Sequence, residues 1–404
     1  MKKTISVILL VGFILAACAP TMASPLSTKT PVPTPAPTQL ICRAIPFEPT
    51  PVPGADSLFP AVRAGEWTRG PSDAAVTLVI YNDFQCVECN DRVLTVLAEA
   101  HPQDVRLVYR HYPQTDRYDK SYLAAQAAEA AGNQDKFWEM HDVLFAKQAE
   151  WIALTPDDFQ AWLAKEADGL GLDRARFEAD RLDDAIQSKI QGAEAEARNA
   201  AIPVLPLVLI NGEIYYGPTD FSAFDQIVRL IALGRRQFTS CPQMTIDPNK
   251  QYIATVKTGK GDIVIQLYAD KAPLTVNSFI FLARNGWYDG VTFHRVIPGF
   301  VAQAGDPSGT GAGNPGYLFR NEFDPSLHFD KPGVAAMANS GVDTNGSQFF
   351  ITYSAQPALD GLYTIFGHVL SGMGVLEKLT PRDPRSDAIL PDGDLVISIT
   401  VEER

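Results

Sequence analysis

Read as a pattern of apolar and polar positions, the chain changes character repeatedly along its length. After Lys2 and Lys3 comes the apolar run "ISVILLVGFILAA", closed by "LAAC" at Cys18. Residues 19–62 then carry much proline, threonine and serine and little to bury, which predicts an extended, solvated tether. Hydropathy rises again in "AAVTLVIYNDF" (residues 74–84), a β-branched run that reads as a buried strand, and "NDRVLTVLAEA" after it has helical spacing. Amphipathic helical spacing continues over most of residues 122–200. From Tyr252 the period shortens. "YIATVKTGKGDIVIQLY" reads as two strands around a "TGKG" turn, and short strands alternate with glycine-rich loops up to "DLVISITVEE". With "APLTVNSFIFLARNG" as a helix, this half predicts a closed, all-β-dominated barrel with capping helices.

Composition narrows the class. A chain of 404 residues, 46% apolar and 20% charged, fits two globular domains with tails. A formal net charge of −13 argues against nucleic acid as a partner, since a phosphate-binding surface needs a basic stripe. The first apolar run is shorter than the roughly 20 residues that span a bilayer and fits a secretory signal over residues 1–18. "LAAC" resembles the lipobox of bacterial lipoproteins, which implies lipidation at Cys18 and a membrane-anchored, extracytoplasmic protein; an ordinary signal with an incidental cysteine is the alternative. Acyl chains contribute about 0.8 kcal/mol per buried methylene to such an anchor.

Five cysteines carry the first candidate chemistry. In "FQCVECN", Cys86 and Cys89 could clamp a metal, form a staple or exchange electrons. A zinc site wants more ligands than this pair supplies, and Cys42 and Cys241 are isolated, so neither metal nor cofactor is expected. Strand, CxxC, helix is the local plan. It places Cys86 at a helix N-terminus, where unpaired amides favour an exposed thiolate, with Cys89 one turn inside as the resolving thiol. In an oxidising compartment Cys42 and Cys241 could pair and pin the leader to the interdomain joint; two free thiols are the alternative. His141 shares a helical face with Phe137, Leu144 and Phe145, as a packed core histidine would. "SGTGAGNPG" (residues 308–316) lacks the following helix of a phosphate cradle and reads as a plain loop.

"YNDFQCVECN", followed by "RHYP", "AAQAAEAAGNQDKFWEMHDVLF" and "IPVLPLVLINGE", resembles the DsbA-like branch of the thioredoxin superfamily over about residues 67–233. The resemblance implies an α/β thioredoxin-like domain with a helical insertion over residues 63–240, thiol–disulfide exchange at Cys86 and Cys89, and Pro206 as the cis-proline facing them. From the residues alone, a trans proline at a strand start is the simpler reading of Pro206. Where that branch often has proline and histidine or tyrosine, this chain has Val87 and Glu88. A carboxylate beside Cys86 disfavours its thiolate, which predicts a weaker oxidant than the strongly oxidising members.

After a joint at residues 241–250, "FHRVIPGFVAQAGDPSGTGAG", "AMANSGVDTNGSQFFIT" and "LDGLYTIFG" closely resemble the cyclophilin family of peptidyl-prolyl isomerases, here over residues 251–404. Position by position, the resemblance implies Arg295 as catalytic, with His294 beside it as a substrate-binding residue of the groove. It implies an apolar proline pocket from Phe300, Val301, Phe350 and Leu359, and a substrate-backbone groove from Gln303, Ala338, Asn339 and Gln348. Ala358 and Tyr363 stand where family members often carry tryptophan and histidine. The expected partners are folding secreted polypeptides with X-Pro bonds and thiols, a redox partner for the CxxC pair, and the membrane through the anchor. A non-catalytic chaperone, or a redox carrier dedicated to one partner, is the alternative.

Overall fold

The computed structural model describes residues 41–45, 58–387 and 390–404. The expected signal segment, Cys18 and most of the expected tether lie outside the described residues.

The first domain is built on a five-stranded sheet in the order β2-β4-β3-β5-β6. Its strands are β2 (Trp67–Arg69), β3 (Val76–Asn82), β4 (Val105–His111), β5 (Leu207–Ile210) and β6 (Glu213–Ile214); β1 (Cys42–Ala44) belongs to the leader. β3 and β4 are parallel, so the chain must cross between them, and α1 (Arg92–Ala100) makes the crossover. Both faces of this central pair are covered, which is why β3 reads as a continuous apolar run. Leu78, Ile80, Leu107 and Tyr109 face one buried cluster, and Val79, Tyr81 and Val108 face the other.

Residues 122–200 fold as α2 (Ser121–Gly132), α3 (Phe137–Ala146), α4 (Gln148–Trp151), α5 (Pro156–Gly169), α6 (Arg174–Arg181) and α7 (Asp184–Asn199). α2 departs from the expected amphipathic pattern, with ten of its twelve residues buried. Its alanines let neighbouring helices approach on all sides, and a side chain at Gly132 would overlap the Trp67 ring. α8 (Phe221–Leu233) closes the domain against α1.

The second domain holds β7 (Tyr252–Thr258), β8 (Gly261–Leu267), α9 (Pro273–Arg284), β9 (Val291–Thr292), β10 (Arg295–Ile297) and β11 (Val301–Ala304). It continues with β12 (Tyr317–Phe319), β13 (Val334–Met337), β14 (Phe349–Thr352), β15 (Ile365–Ser371), α10 (Met373–Leu376) and β16 (Leu395–Glu403). Nine of these strands form one antiparallel sheet, ordered β10-β11-β14-β13-β15-β8-β7-β16-β9. Its edges, β9 and β10, are separated in the chain only by Phe293 and His294, so the sheet must curl until they nearly meet. A covalent link joins the edges where the expected closed barrel would have a ladder. Ala302, Phe349, Ile351 and Met337 point inward onto Val276, Phe279 and Ile280 of α9. The alternate residues Val301, Phe350, Val334 and Ala336 form a second cluster on the outer face.

The joint is packed. Cys42 and Cys241 form a disulfide, as one of the two sequence readings held. β1 pairs antiparallel with β12, and the Phe238 amide donates to the Pro315 carbonyl at 2.9 Å. Gly316 has φ +87°, and a methyl there would overlap the Phe238 carbonyl oxygen.

Candidate active sites

Period-2 alternation along β11 and β14 sends Val301, Gln303 and Phe350 to the outer face, where a cleft of about 500 Å³ opens. Phe300, Val301, Phe350 and Leu359 line it together with Tyr363, whose ring meets Phe350 edge-on at 5.3 Å. Phe329 stacks behind Phe350 at 5.9 Å, so the apolar pocket has a rigid floor. Ala338 and Asn339 line the same cleft, as do Gln303 and Gln348. Gln303 Nε2 donates to Gln348 Oε1 at 2.9 Å, and Gln348 Nε2 donates to the carbonyls of Gly311 (3.0 Å) and Gly313 (2.9 Å).

Arg295 stands at the start of β10, directly across from Gln303 in register, and its side chain lines the cleft at 22% exposure. Its Nε is 3.5 Å from Asp383 Oδ1 and makes no hydrogen bond. Its Cζ lies 5.8 Å from the Phe300 ring centroid. The Arg385 amide first, and the Arg295 charge with it, hold the Asp383 carboxyl below its usual pKa. The cation therefore sits beside the apolar pocket with donors left for a ligand.

One expected groove residue is elsewhere. His294 is 2% exposed, has no partner on either ring nitrogen, and is not part of the cleft lining. It lies under the glycine loop, in van der Waals reach of Gly311. Burial, reinforced by the charges of Arg382 and Arg295 and opposed by Asp306, keeps its pKa low and the ring neutral. The inward turn of the chain between β9 and β10 takes the side chain into the interior.

The plain loop at residues 308–316 has a structural task. Asp306, fully buried, accepts from the amides of Ser308 (2.8 Å), Gly311 (2.8 Å) and Gly313 (2.9 Å). The loop so folded presents Gly311 to Asn314 as one wall of the cleft. Ile45, Leu318 and Arg385 also line the cleft, and no sequence motif marks them; Thr344, which lines it too, lies within the "AMANSGVDTNGSQFFIT" motif.

In the first domain Cys86 and Cys89 are joined as a disulfide. Cys86, in extended conformation, precedes a short 3₁₀ turn (Val87–Cys89) that ends on Cys89, and α1 starts only at Arg92. The expected placement inside the helix's first turn is therefore corrected: the Asn82 side-chain amide donates to Cys89 O at 2.9 Å, and the chain breaks at Asn90 before the helix begins. The expected exposure of Cys86 is corrected too. In the oxidised form Cys86 is 5% exposed and Cys89 0%, inside a cluster with Tyr81, Tyr112, Leu205 and Leu207, against which Phe59 and Val62 pack. Val87 and Glu88 project to solvent, and Glu88 Oε2 is 3.9 Å from Cys86 Sγ. Gln148 Nε2 holds the carbonyls of Phe84 (2.8 Å) and Cys86 (3.0 Å). The Leu205–Pro206 bond is cis. Tyr81 pairs with Leu207, which puts Pro206 at the sheet end from which the cysteines leave.

His141 is buried, as expected of a core residue, but it is ionically held. Its Nε2 meets Asp91 at 3.1 Å and its Nδ1 meets Asp142 at 2.9 Å. Burial alone would lower its pKa; Asp91 and Asp142 outweigh that and raise it.

Two family models match the chain. Residues 253–401 match the family model for cyclophilin type peptidyl-prolyl cis-trans isomerases, and residues 63–229 match that for thioredoxin. Peptidyl-prolyl cis-trans isomerase B of Streptomyces anulatus is 45% identical over 174 residues, 38% of this chain and 99% of that protein. Peptidyl-prolyl cis-trans isomerase A of Mycobacterium tuberculosis is 48% identical over 178 residues, 40% of this chain and 98% of that protein. A solved cyclophilin type isomerase of Cryptosporidium parvum is 36% identical, covers 38% of this chain and 98% of its own, and superposes with a TM-score of 0.35.

Proposed function

Since the chain belongs, through residues 253–401, to the cyclophilin type peptidyl-prolyl cis-trans isomerases and carries a thioredoxin-like domain before them, we propose that it is a two-headed folding factor. The second domain rotates X-Pro bonds, with Arg295 as the catalytic group. Rotation faces a barrier of about 18–20 kcal/mol because the prolyl nitrogen shares its lone pair with the carbonyl. The apolar pocket of Phe300, Val301, Phe350 and Leu359 grips the proline ring. The Arg295 guanidinium donates toward the prolyl nitrogen, draws on the lone pair and lowers the double-bond character. Arginine suits the task because it stays protonated and presents fixed donors. Gln303, Ala338, Asn339 and Gln348 hold substrate backbone, and no covalent intermediate forms. This is stabilisation of a twisted amide by preorganised charge.

The observation that carries the reading is a cation in the same cleft as a rigid apolar pocket. Arg295→Ala in the full chain should lower kcat/KM on a proline tetrapeptide by about 100-fold, the cost of removing one preorganised donor. Unchanged turnover in that variant leaves a peptide-binding chaperone as the better reading.

The first domain exchanges disulfides through Cys86, with Cys89 resolving and Pro206 beside them, in the manner of the DsbA-like branch. The signal segment, the lipobox cysteine Cys18 and the Cys42–Cys241 bridge support a protein anchored to the membrane surface outside the cytoplasm, where secreted chains meet both slow steps. Trapping mixed disulfides with Cys89→Ser tests this head: many clients fit a folding factor, a single one a dedicated carrier.

A further inference from the structure

The leader does more than connect. β1 pairs with β12 in the register Cys42↔Phe319, Arg43↔Leu318, Ala44↔Tyr317. The Ile45 amide donates to Gly316 O at 2.7 Å, and the Arg320 amide donates to Ile41 O at 3.1 Å. This register puts Ile45 opposite Gly316 and on the same face as Leu318, one diagonal away. Gly316 has no side chain to stand between them. Both residues are half-buried, and both line the cleft that holds Arg295.

The cleft lining thus has two apolar patches. One is the proline pocket around Phe350; the other is Ile45 with Leu318, and polar backbone from Gly311 to Asn314 lies along the wall. A three-residue strand pairs too briefly to hold itself in place. The Cys42–Cys241 disulfide supplies the hold, because Cys241 follows a segment already bonded to the second domain through Phe238.

We infer that Ile45, carried on the leader, forms with Leu318 a second subsite of the isomerase cleft, and that the Cys42–Cys241 bond keeps it assembled. Its ligand is an apolar side chain on an extended polypeptide whose proline occupies the Phe350 pocket. The inference rests on the isomerase reading and deepens it. A proline alone fills only the Phe350 pocket; a flanking residue must extend toward the second patch, at about 3.3 Å per residue. Selection for apolar neighbours would therefore depend on the oxidised state of the leader.

The test uses the full chain, a proline tetrapeptide and a set of longer proline peptides carrying one leucine at stepped distances from the proline. Wild type should favour the peptide whose leucine reaches the subsite. Ile45→Ser should lower the long-to-short ratio of kcat/KM about fivefold, the effect of losing a half-buried aliphatic contact. Cys42→Ser with Cys241→Ser should lower it similarly, and serine in place of the peptide's leucine should remove the difference between variants and wild type. An unchanged ratio in Ile45→Ser, or indifference to the leucine position, overturns the subsite. A ratio lowered in Ile45→Ser but not in the cysteine pair overturns the role of the bond. If the cysteine variant fails to fold, Ile45→Ser, which keeps both cysteines, still decides the subsite. Wild type that fails on the tetrapeptide as well would instead overturn the isomerase reading.

Discussion

Replacing Glu88 by glutamine removes the carboxylate that lies beside the Cys86 sulfur. Glu88 Oε2 is 3.9 Å from Cys86 Sγ in the disulfide form, where the sulfur is neutral. Reduction and ionisation would put a thiolate at that distance. Two unit charges so spaced repel by about 1 kcal/mol at the permittivity of water and about 4 kcal/mol at an effective value near 20. Glu88 is exposed, so the lower figure governs and salt reduces it further. The penalty falls on the reduced form alone, and about 1 kcal/mol corresponds to roughly 20 mV for a two-electron couple. Glu88→Gln should therefore raise the reduction potential by up to about 20 mV at pH values where the thiolate is populated, and by less at low pH. Equilibration with glutathione buffers, followed by thiol alkylation, reads the potential; absorbance of the thiolate near 240 nm reads the ionisation. A potential that stays constant or falls, across pH and at low salt, would refute the reasoning and leave Glu88 as a solvated bystander.

Other expected outcomes follow from packing and charge. Phe350→Ala removes a buried ring that stacks on Phe329 and should destabilise the second domain by about 3–5 kcal/mol in urea titration while also raising KM. Gly316→Ala forces a side chain at φ +87° into the Phe238 carbonyl and should cost at least about 1–3 kcal/mol, visible as a lowered thermal midpoint. His141 binds its proton more tightly when folded, so its stabilisation is complete below its unfolded pKa near 6.5 and is lost as pH rises through the higher folded value. Thermal midpoints of the first domain should thus fall through that window, and His141→Gln should flatten the slope.

Much of the fold was legible because period and burial coincide. The continuous apolar run over β3 announces a strand covered on both faces, whereas Phe349–Thr352 is buried throughout and its outward-facing residue was identified through the family resemblance. The cleft residues carried by long motifs came out together, since those motifs are the cleft's own strands and turns. What stayed hidden depends on distant partners. β1 has three residues and no period of its own, so its pairing is set by the exposed edge of β12 and by the bond to Cys241. Asp383 reaches Arg295 from a loop 88 positions onward, beyond any local pattern. His294 was misassigned to the groove because adjacency to Arg295 says nothing about which side of a turning chain faces the ligand. The burial of Cys86 follows from closure of the disulfide onto a fully buried Cys89, which spacing alone does not encode.

The account stands or falls on turnover at Arg295. Magnetisation-exchange NMR on a proline peptide reads interconversion of cis and trans forms directly, separately from binding. The full chain at substoichiometric concentration should produce exchange on a sub-second timescale, against tens of seconds uncatalysed, and Arg295→Ala should bind the peptide yet lose that exchange. Wild type that binds without accelerating exchange, or Arg295→Ala that accelerates it as well as wild type, would contradict the account.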